Sequence, residues 1–226
     1  MEEAVAQNRS LCLSCLRPKR VCWCDSITRV QSQTRVVFLQ HPREARVPIS
    51  TCRMAHHSLP NSEMHIGLGV TGNPQLERIC AMPDTAVLFP SDNAVDVSCI
   101  DVPPQHLVVV DGTWSNAKKI VEKCPVLSKL PRLTFRPERP GAYRIRKEPA
   151  EHCLATIEAV AYVLELIERA PGRFRPILSA FDAMVDRQLE FIERSDGSTR
   201  HKFRRQRNTP RADPTTVLKE QRDNLV

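Results

Sequence analysis

The stretch LVVVDGTWSNAKKIVEKC, residues 107–124, runs four apolar residues straight into Asp111, Gly112, Thr113 and Trp114, after which the charges begin. A short apolar run without polar alternation is the pattern of a strand buried on both faces. The segment from Thr113 to Cys124 then reads as an amphipathic helix. Asp111 therefore falls where a core strand surfaces, Gly112 lets the chain turn sharply, and Thr113 or Ser115 is expected to cap the helix. Asp111 has two open readings, a site residue at the sheet edge or a cap for that helix. Trp114 is open in the same way, since it can simply cover the edge of the sheet.

Outward from this stretch the same grammar repeats. Val36 to Leu39 reads as a buried strand stopped by Pro42, so His41, Arg43 and Glu44 are expected on a loop just past its end. A short helix is expected near 49–58, a strand over 64–68, one or two helical turns over 74–80, and an apolar strand over 85–90 ended by Pro90. LTFRPE, residues 133–138, is a candidate fifth strand. Cys153, Ile157, Val160, Leu164 and Ile167 recur at helical spacing, as do Leu178, Phe181, Val185, Leu189 and Ile192. Short apolar strands alternating with helices imply an α/β fold, a mainly parallel sheet with helices on both faces. Ligands of such sheets bind beyond the carboxyl ends of the strands. That rule selects HPRE (41–44), PSD (90–92) and DGTW (111–114) as the site.

Composition sets the frame. The 226 residues are 41% hydrophobic and only 5% aromatic, with 33 Lys and Arg against 26 Asp and Glu. The +7 balance suits a polyanionic partner such as nucleic acid. No run approaches the ~20 apolar residues of a membrane span, and MEEAVAQNRS lacks the apolar heart of a signal peptide. A cytoplasmic protein without a membrane partner is expected.

Nine cysteines cannot all pair within one chain. Four of them, Cys12, Cys15, Cys22 and Cys24, form a C-x2-C-x6-C-x-C cluster that matches a tetrahedral sulfur site for structural Zn²⁺. A redox C-x-x-C pair would normally open a helix after a strand, and neither pattern is present. The basic residues Arg17, Lys19 and Arg20 lie inside the cluster and would help keep thiolates ionised. The expected organisation is a zinc-binding segment over 1–30, a globular α/β domain over 31–194 that carries the candidate site, and a basic tail over 195–226. Residues 200–211 of that tail hold six Lys or Arg and no acid.

GAYRIRKEPAEHC adds a second cluster. If residues 143–146 are extended, Arg144 and Arg146 share one face and Tyr143 and Ile145 the other. Two adjacent guanidiniums suit a carboxylate or phosphate, although a solvated charge run is the blander reading.

The cysteine cluster with its R-P, the HPRE loop, the DGTW turn followed by AKK, and YRIRK-x-P before a helix containing EA together resemble the DTW-domain family of tRNA-uridine aminocarboxypropyltransferases. The resemblance spans about residues 12–194, and the D-x-T-W motif is met by Asp111, Gly112, Thr113 and Trp114. It implies transfer of the 3-amino-3-carboxypropyl group of S-adenosylmethionine to N3 of a uridine in tRNA, with release of methylthioadenosine. It also implies a likeness to the knotted SPOUT fold. On this reading Asp111, or else Glu44, is the base that takes the N3 proton. His41, Asp111, Gly112, Thr113, Trp114, Tyr143, Arg144 and Arg146 are expected around S-adenosylmethionine, with Trp114 stacking on adenine or uracil as the alternative to its covering role. Arg17, Lys19, Arg20, Arg43, Lys118 and Lys119 are expected to meet tRNA. Two other readings stay open: an S-adenosylmethionine-dependent RNA methyltransferase, and a non-enzymatic zinc-bearing RNA-binding protein.

Overall fold

The computed structural model describes residues 10–137 and 154–194, with side chains to 190. Six parallel strands form one sheet: β1 (Arg35–Gln40), β2 (Ser62–Ile66), β3 (Thr85–Leu88), β4 (Val95–Asp96), β5 (His106–Asp111) and β6 (Arg132–Thr134). Their order is β2-β1-β5-β3-β6-β4. The α/β reading with a parallel sheet holds. The helices are α1 (Pro42–Ala45), α2 (Thr51–Ser58), α3 (Pro74–Cys80), α4 (Trp114–Lys123), α5 (Pro125–Lys129), α6 (Thr156–Ile167) and α7 (Ser179–Arg194).

Alternation along the strands divides the core in two. Val36, Phe38, Leu107 and Val109 face one side, where Met54 and Ala55 of α2, Ile157, Val160 and Leu164 of α6, and Phe181 and Val185 of α7 close over them. Val37, Leu39, Val87 and Val108 face the other, under Leu76 and Ile79 of α3, Ile120 and Val121 of α4, and Leu127 of α5. Every central strand is thus apolar on both faces, which is why β1 and β5 show no polar alternation.

Connectivity positions the site. From β1 the chain crosses to β2 through α2, on the first face. From β5 it crosses to β6 through α4 and α5, on the second face and in the opposite direction. Opposite directions on opposite faces are what one handedness of crossover requires. The two connections diverge between neighbouring β1 and β5, and that divergence leaves a crevice at their carboxyl ends. Gln40 and Asp111, the last residues of the two strands, are direct register partners.

Several boundaries differ from the sequence reading. Pro42 opens a one-turn helix instead of a loop, because proline at the first helical position loses no needed N–H and has the right φ. β2 ends at Ile66, so Leu68 lies beyond it and is 66% exposed. Two-residue β4 is too short to leave a periodic signal. Among the described residues α6 begins at Thr156; Cys153 lies outside them, as do Tyr143, Arg144, Arg146 and the basic tail. The described residues do not show the knot. Among the described residues no helix is long and apolar enough to cross a membrane.

Candidate functional site

Asp111 ends β5 with its side chain on the same face as Val109 and Leu107, the face of α2 and α6. Helix α4 lies on the other. This settles the capping question: the carboxylate points away from the helix that follows it. Its Oδ2 instead accepts from Gln40 Nε2 at 2.8 Å, and its Oδ1 accepts from Thr156 Oγ1 at 2.6 Å. Gln40 is fully buried and also donates to Ser50 Oγ at 3.0 Å, while Ser50 caps α2 by accepting from Arg53 N–H. The carboxylate is therefore gripped by β1 on one side and by the start of α6 on the other. Each oxygen keeps a lone pair free for a further partner.

The turn after Asp111 is tight. A Cβ on Gly112 would lie 3.4 Å from Ala117 N and Asn116 Cβ and 3.5 Å from His41 Cβ. These are the close end of ordinary contact distances, so the turn leaves just the room of a Cβ between α4 and α1. His41 caps α1, its Nδ1 accepting from Arg43 N–H at 3.1 Å, and its own N–H donates to the Asp111 carbonyl at 2.8 Å. Thr113 occupies the N-cap position of α4, but neither it nor Ser115 caps through a side chain, contrary to the sequence expectation. The Trp114 and Ser115 N–H groups at this helix start have no acceptor among the described residues. Trp114 lays one ring face on Phe89, 5.4 Å between centroids and 13° from parallel, yet stays 61% exposed. It covers the sheet edge and still offers a free face.

Glu44 stands on α1 beside this crevice with no side-chain partner among the described residues. Arg43 and Lys119 are exposed, and Lys118 pairs with Glu122 at 3.7 Å. The structure brings His41, Asp111, Gly112, Thr113 and Trp114 to one rim, with Glu44 on the one-turn helix that His41 caps. Sequence reasoning missed Gln40, Ser50 and Thr156. Gln40 carries a faint signal, as the one amide closing an otherwise apolar run; Thr156 carries none.

The four clustered cysteines converge as their spacing predicts. Their sulfurs all lie within 4.8 Å of one another, with Cys12–Cys24 at 3.7 Å and Cys15–Cys22 at 3.6 Å. Four sulfurs around a tetrahedral Zn²⁺ stand about 3.8 Å apart, so the donor set fits that metal. Its electrostatics point the same way. Backbone N–H groups of Cys15 and Ser14 bring the Cys12 thiol down to about 6, while burial and then the neighbouring sulfurs push Cys24 far up. Four thiolates this close ionise together only around a cation.

The knob they form is docked on the sheet's first face through buried Cys15 and Trp23. Arg53 donates to the Cys15 carbonyl at 3.3 Å, Arg187 to the Cys22 carbonyl, and Ser179 to the Ser26 carbonyl at 2.7 Å. Lys19 and Arg20 are exposed on the knob, but Arg17 is only 5% exposed, so its guanidinium is packed inside and not presented to a partner.

Residues 9–189 match the DTW domain. The chain belongs to the DTW-domain family. It is 30% identical over 191 residues to tRNA-uridine aminocarboxypropyltransferase 2 of Drosophila melanogaster, covering 80% of this chain and 76% of the relative. It is 27% identical to the Macaca fascicularis protein of the same name, covering 82% of this chain and 65% of that relative. With tRNA-uridine aminocarboxypropyltransferase A of Arabidopsis thaliana it shares 26% identity, over 85% of this chain and 86% of the relative. No solved structure matches the chain.

Proposed function

We propose that this DTW-domain protein is a cytoplasmic transferase that moves the 3-amino-3-carboxypropyl group of S-adenosylmethionine to N3 of a uridine in tRNA and releases methylthioadenosine. The observation that carries the reading is the D-G-T-W turn, whose Asp111 is held by Gln40 and Thr156 at the crevice where the β1 and β5 connections diverge. The names of the relatives point to aminocarboxypropyl transfer to a tRNA uridine.

In this reaction the uridine N3 attacks the methylene carbon beside the sulfonium. An N–C bond forms, the C–S bond breaks, and its electron pair neutralises the sulfur. The N3 proton passes to a carboxylate within hydrogen-bond reach. Asp111 is that base, because two fixed donors aim its remaining lone pairs; Glu44 on α1 is the second choice. The open N–H groups at the start of α4 suit the carboxylate of the transferred arm, with Arg144 and Arg146 as further partners for it. Trp114 offers a stacking face, and His41, Gly112, Thr113 and Tyr143 complete the binding wall. All three carbons on the sulfonium are electrophilic, so the arm is selected by orientation.

Lys19, Arg20, Arg43, Lys118, Lys119 and the basic tail meet the tRNA phosphates. Zn²⁺ on Cys12, Cys15, Cys22 and Cys24 is structural. The test is the spent co-substrate: protein, S-adenosylmethionine and tRNA should yield methylthioadenosine. S-adenosylhomocysteine would make the protein a methyltransferase, and no turnover with no co-substrate binding would make it an RNA-binding protein.

A further inference from the structure

Beside the Asp111 crevice lies a second feature that the reaction does not use. A cavity of about 580 Å³ opens where β2 ends, between the loop 67–73 and the junction of α4 with α5. Its walls include Leu39, the glycine-bearing loop, Asn73, His65 and Lys123, and they contain no carboxylate residue. The volume lies in the range of small-ligand sites.

The wall is prebuilt. Asn73 Oδ1 accepts from Leu76 N–H, so its Nδ2 donates to His65 Nδ1 at 3.0 Å, and His65 Nε2 donates in turn to Glu63 at 3.2 Å. Gly67 N–H donates to the Gln40 carbonyl at 3.0 Å, seating the loop directly against the strand that grips Asp111. The N–H groups of Leu68, Gly69 and Thr71 have no acceptor among the described residues. Lys123 has no acid partner among them either. At the mouth, Ile66 and Leu68 are 58% and 66% exposed, an apolar pair placed beside free donors and a cation. Glu77 takes the Gly72 N–H at 2.9 Å and Glu63 the far side of His65, which leaves the Leu68, Gly69 and Thr71 N–H groups, Lys123 and the apolar pair as the lining offered to one nucleotide, base and phosphate together.

The position says which nucleotide. β2 lies two strands, about 10 Å, from β5, and the cavity opens on the second face, that of Leu39, around the sheet's carboxyl edge from the Asp111 carboxylate. We infer that this cavity holds a nucleotide neighbouring the target uridine in the RNA strand, its base against Ile66 and Leu68 and its phosphate toward Lys123 and the loop N–H groups. The inference rests on the proposed tRNA reaction and makes the cavity a determinant of sequence context around the modified uridine.

Binding of unmodified tRNA across a salt series tests it without any transfer step. Lys123→Ala should flatten the log–log salt slope by about 0.7, the loss of one single-strand phosphate contact. Leu68→Glu should weaken binding at least about tenfold, as an added like charge beside a phosphate, with Tm unchanged because the residue is exposed. Should Leu68→Glu fail to fold, the exposed Lys123→Ala decides alone. Wild-type affinity and slope in both variants would overturn the proposal. So would uridine monophosphate saturating the cavity without competing with tRNA, which would make it a small-molecule site. Nucleoside analysis separates the two readings. Modified uridine made by a protein whose variants bind normally sinks only the subsite, whereas altered binding without modification sinks only the reaction.

Discussion

The cysteine knob and the Asp111 crevice are both small polar clusters set against the same apolar face, but they are assembled in opposite ways. The knob draws its four donors from thirteen consecutive residues. Its arrangement is local, and a cation can organise it before the rest of the chain is in place. The crevice draws Gln40 and Asp111 across 71 residues and Thr156 across another 45. Nothing local holds it together, so it exists only once β1, β5 and α6 have packed. A site of the first kind stands or falls with its metal; one of the second kind is held by the fold and can lose a single contact gradually.

The largest effect is therefore expected at the knob. Cys15→Ser removes a fully buried donor and undocks Trp23 with it. It should cost more than about 4 kcal/mol of stability, the range reached when a metal site is lost. Thermal unfolding and metal content check this, and zinc-free protein with a wild-type Tm would erase the distinction between the two regions.

Asp111→Asn should act in the reverse sense, on rate and not on stability. The amide oxygen still accepts from Gln40, and the amide nitrogen can donate to the Thr156 hydroxyl, which is able to accept. Basicity alone is lost, so turnover should fall about 10²- to 10⁴-fold, the usual worth of a positioned base. Near wild-type turnover would pass the role to Glu44.

A smaller loss is expected from the donors. Thr156→Val removes one hydrogen bond worth about 0.5–1.5 kcal/mol, and so should slow turnover about 2- to 13-fold, whereas Thr156→Ser keeps the hydroxyl and should restore it. Gln40→Met should slow turnover at least as much, because its amide donates to Ser50 as well as to Asp111. If serine fails to rescue, the threonine acts through its methyl packing and the crevice is more core than site.

This contrast also explains what could be read from the sequence. The parallel sheet, the cysteine site and the D-G-T-W turn were legible because each is written in consecutive residues with a fixed period or spacing. The partners of Asp111 were not. Their role depends on β5 being inserted beside β1, which brings Gln40 into register with Asp111, and no local pattern encodes that insertion. The helix-cap reading of Asp111 failed for a related reason: strand alternation sends its side chain to one face, and the crossover takes α4 to the other. Arg17 looked like a surface cation because charge in a short loop usually is, yet the fold of the knob turned it inward.

The smallest expected effect lies at the seam between the two regions. His56 packs edge-on to Phe38 and beside His57, which in turn meets Trp23. Burial, then the neighbouring His57 and His65, hold its pKa below the ordinary 6.5. The native state thus binds fewer protons here than the unfolded chain, and stability is full above pH 6.5 and declines as pH falls below it. Denaturant unfolding at pH 7.5 and 5.5 should show a drop that is smaller in His56→Asn. An equal drop in both proteins would move the acid sensitivity away from His56, to groups such as His106, whose pKa burial also lowers, or to the cysteine knob.

The central claim concerns what the crevice does to a uridine, and mass analysis of tRNA nucleosides after incubation with S-adenosylmethionine reads that out directly. The account predicts uridine carrying a 3-amino-3-carboxypropyl group on N3, formed by the wild-type protein and nearly absent with Asp111→Asn. Methylated uridine, or tRNA left unmodified by wild-type protein that binds both substrates, would contradict it.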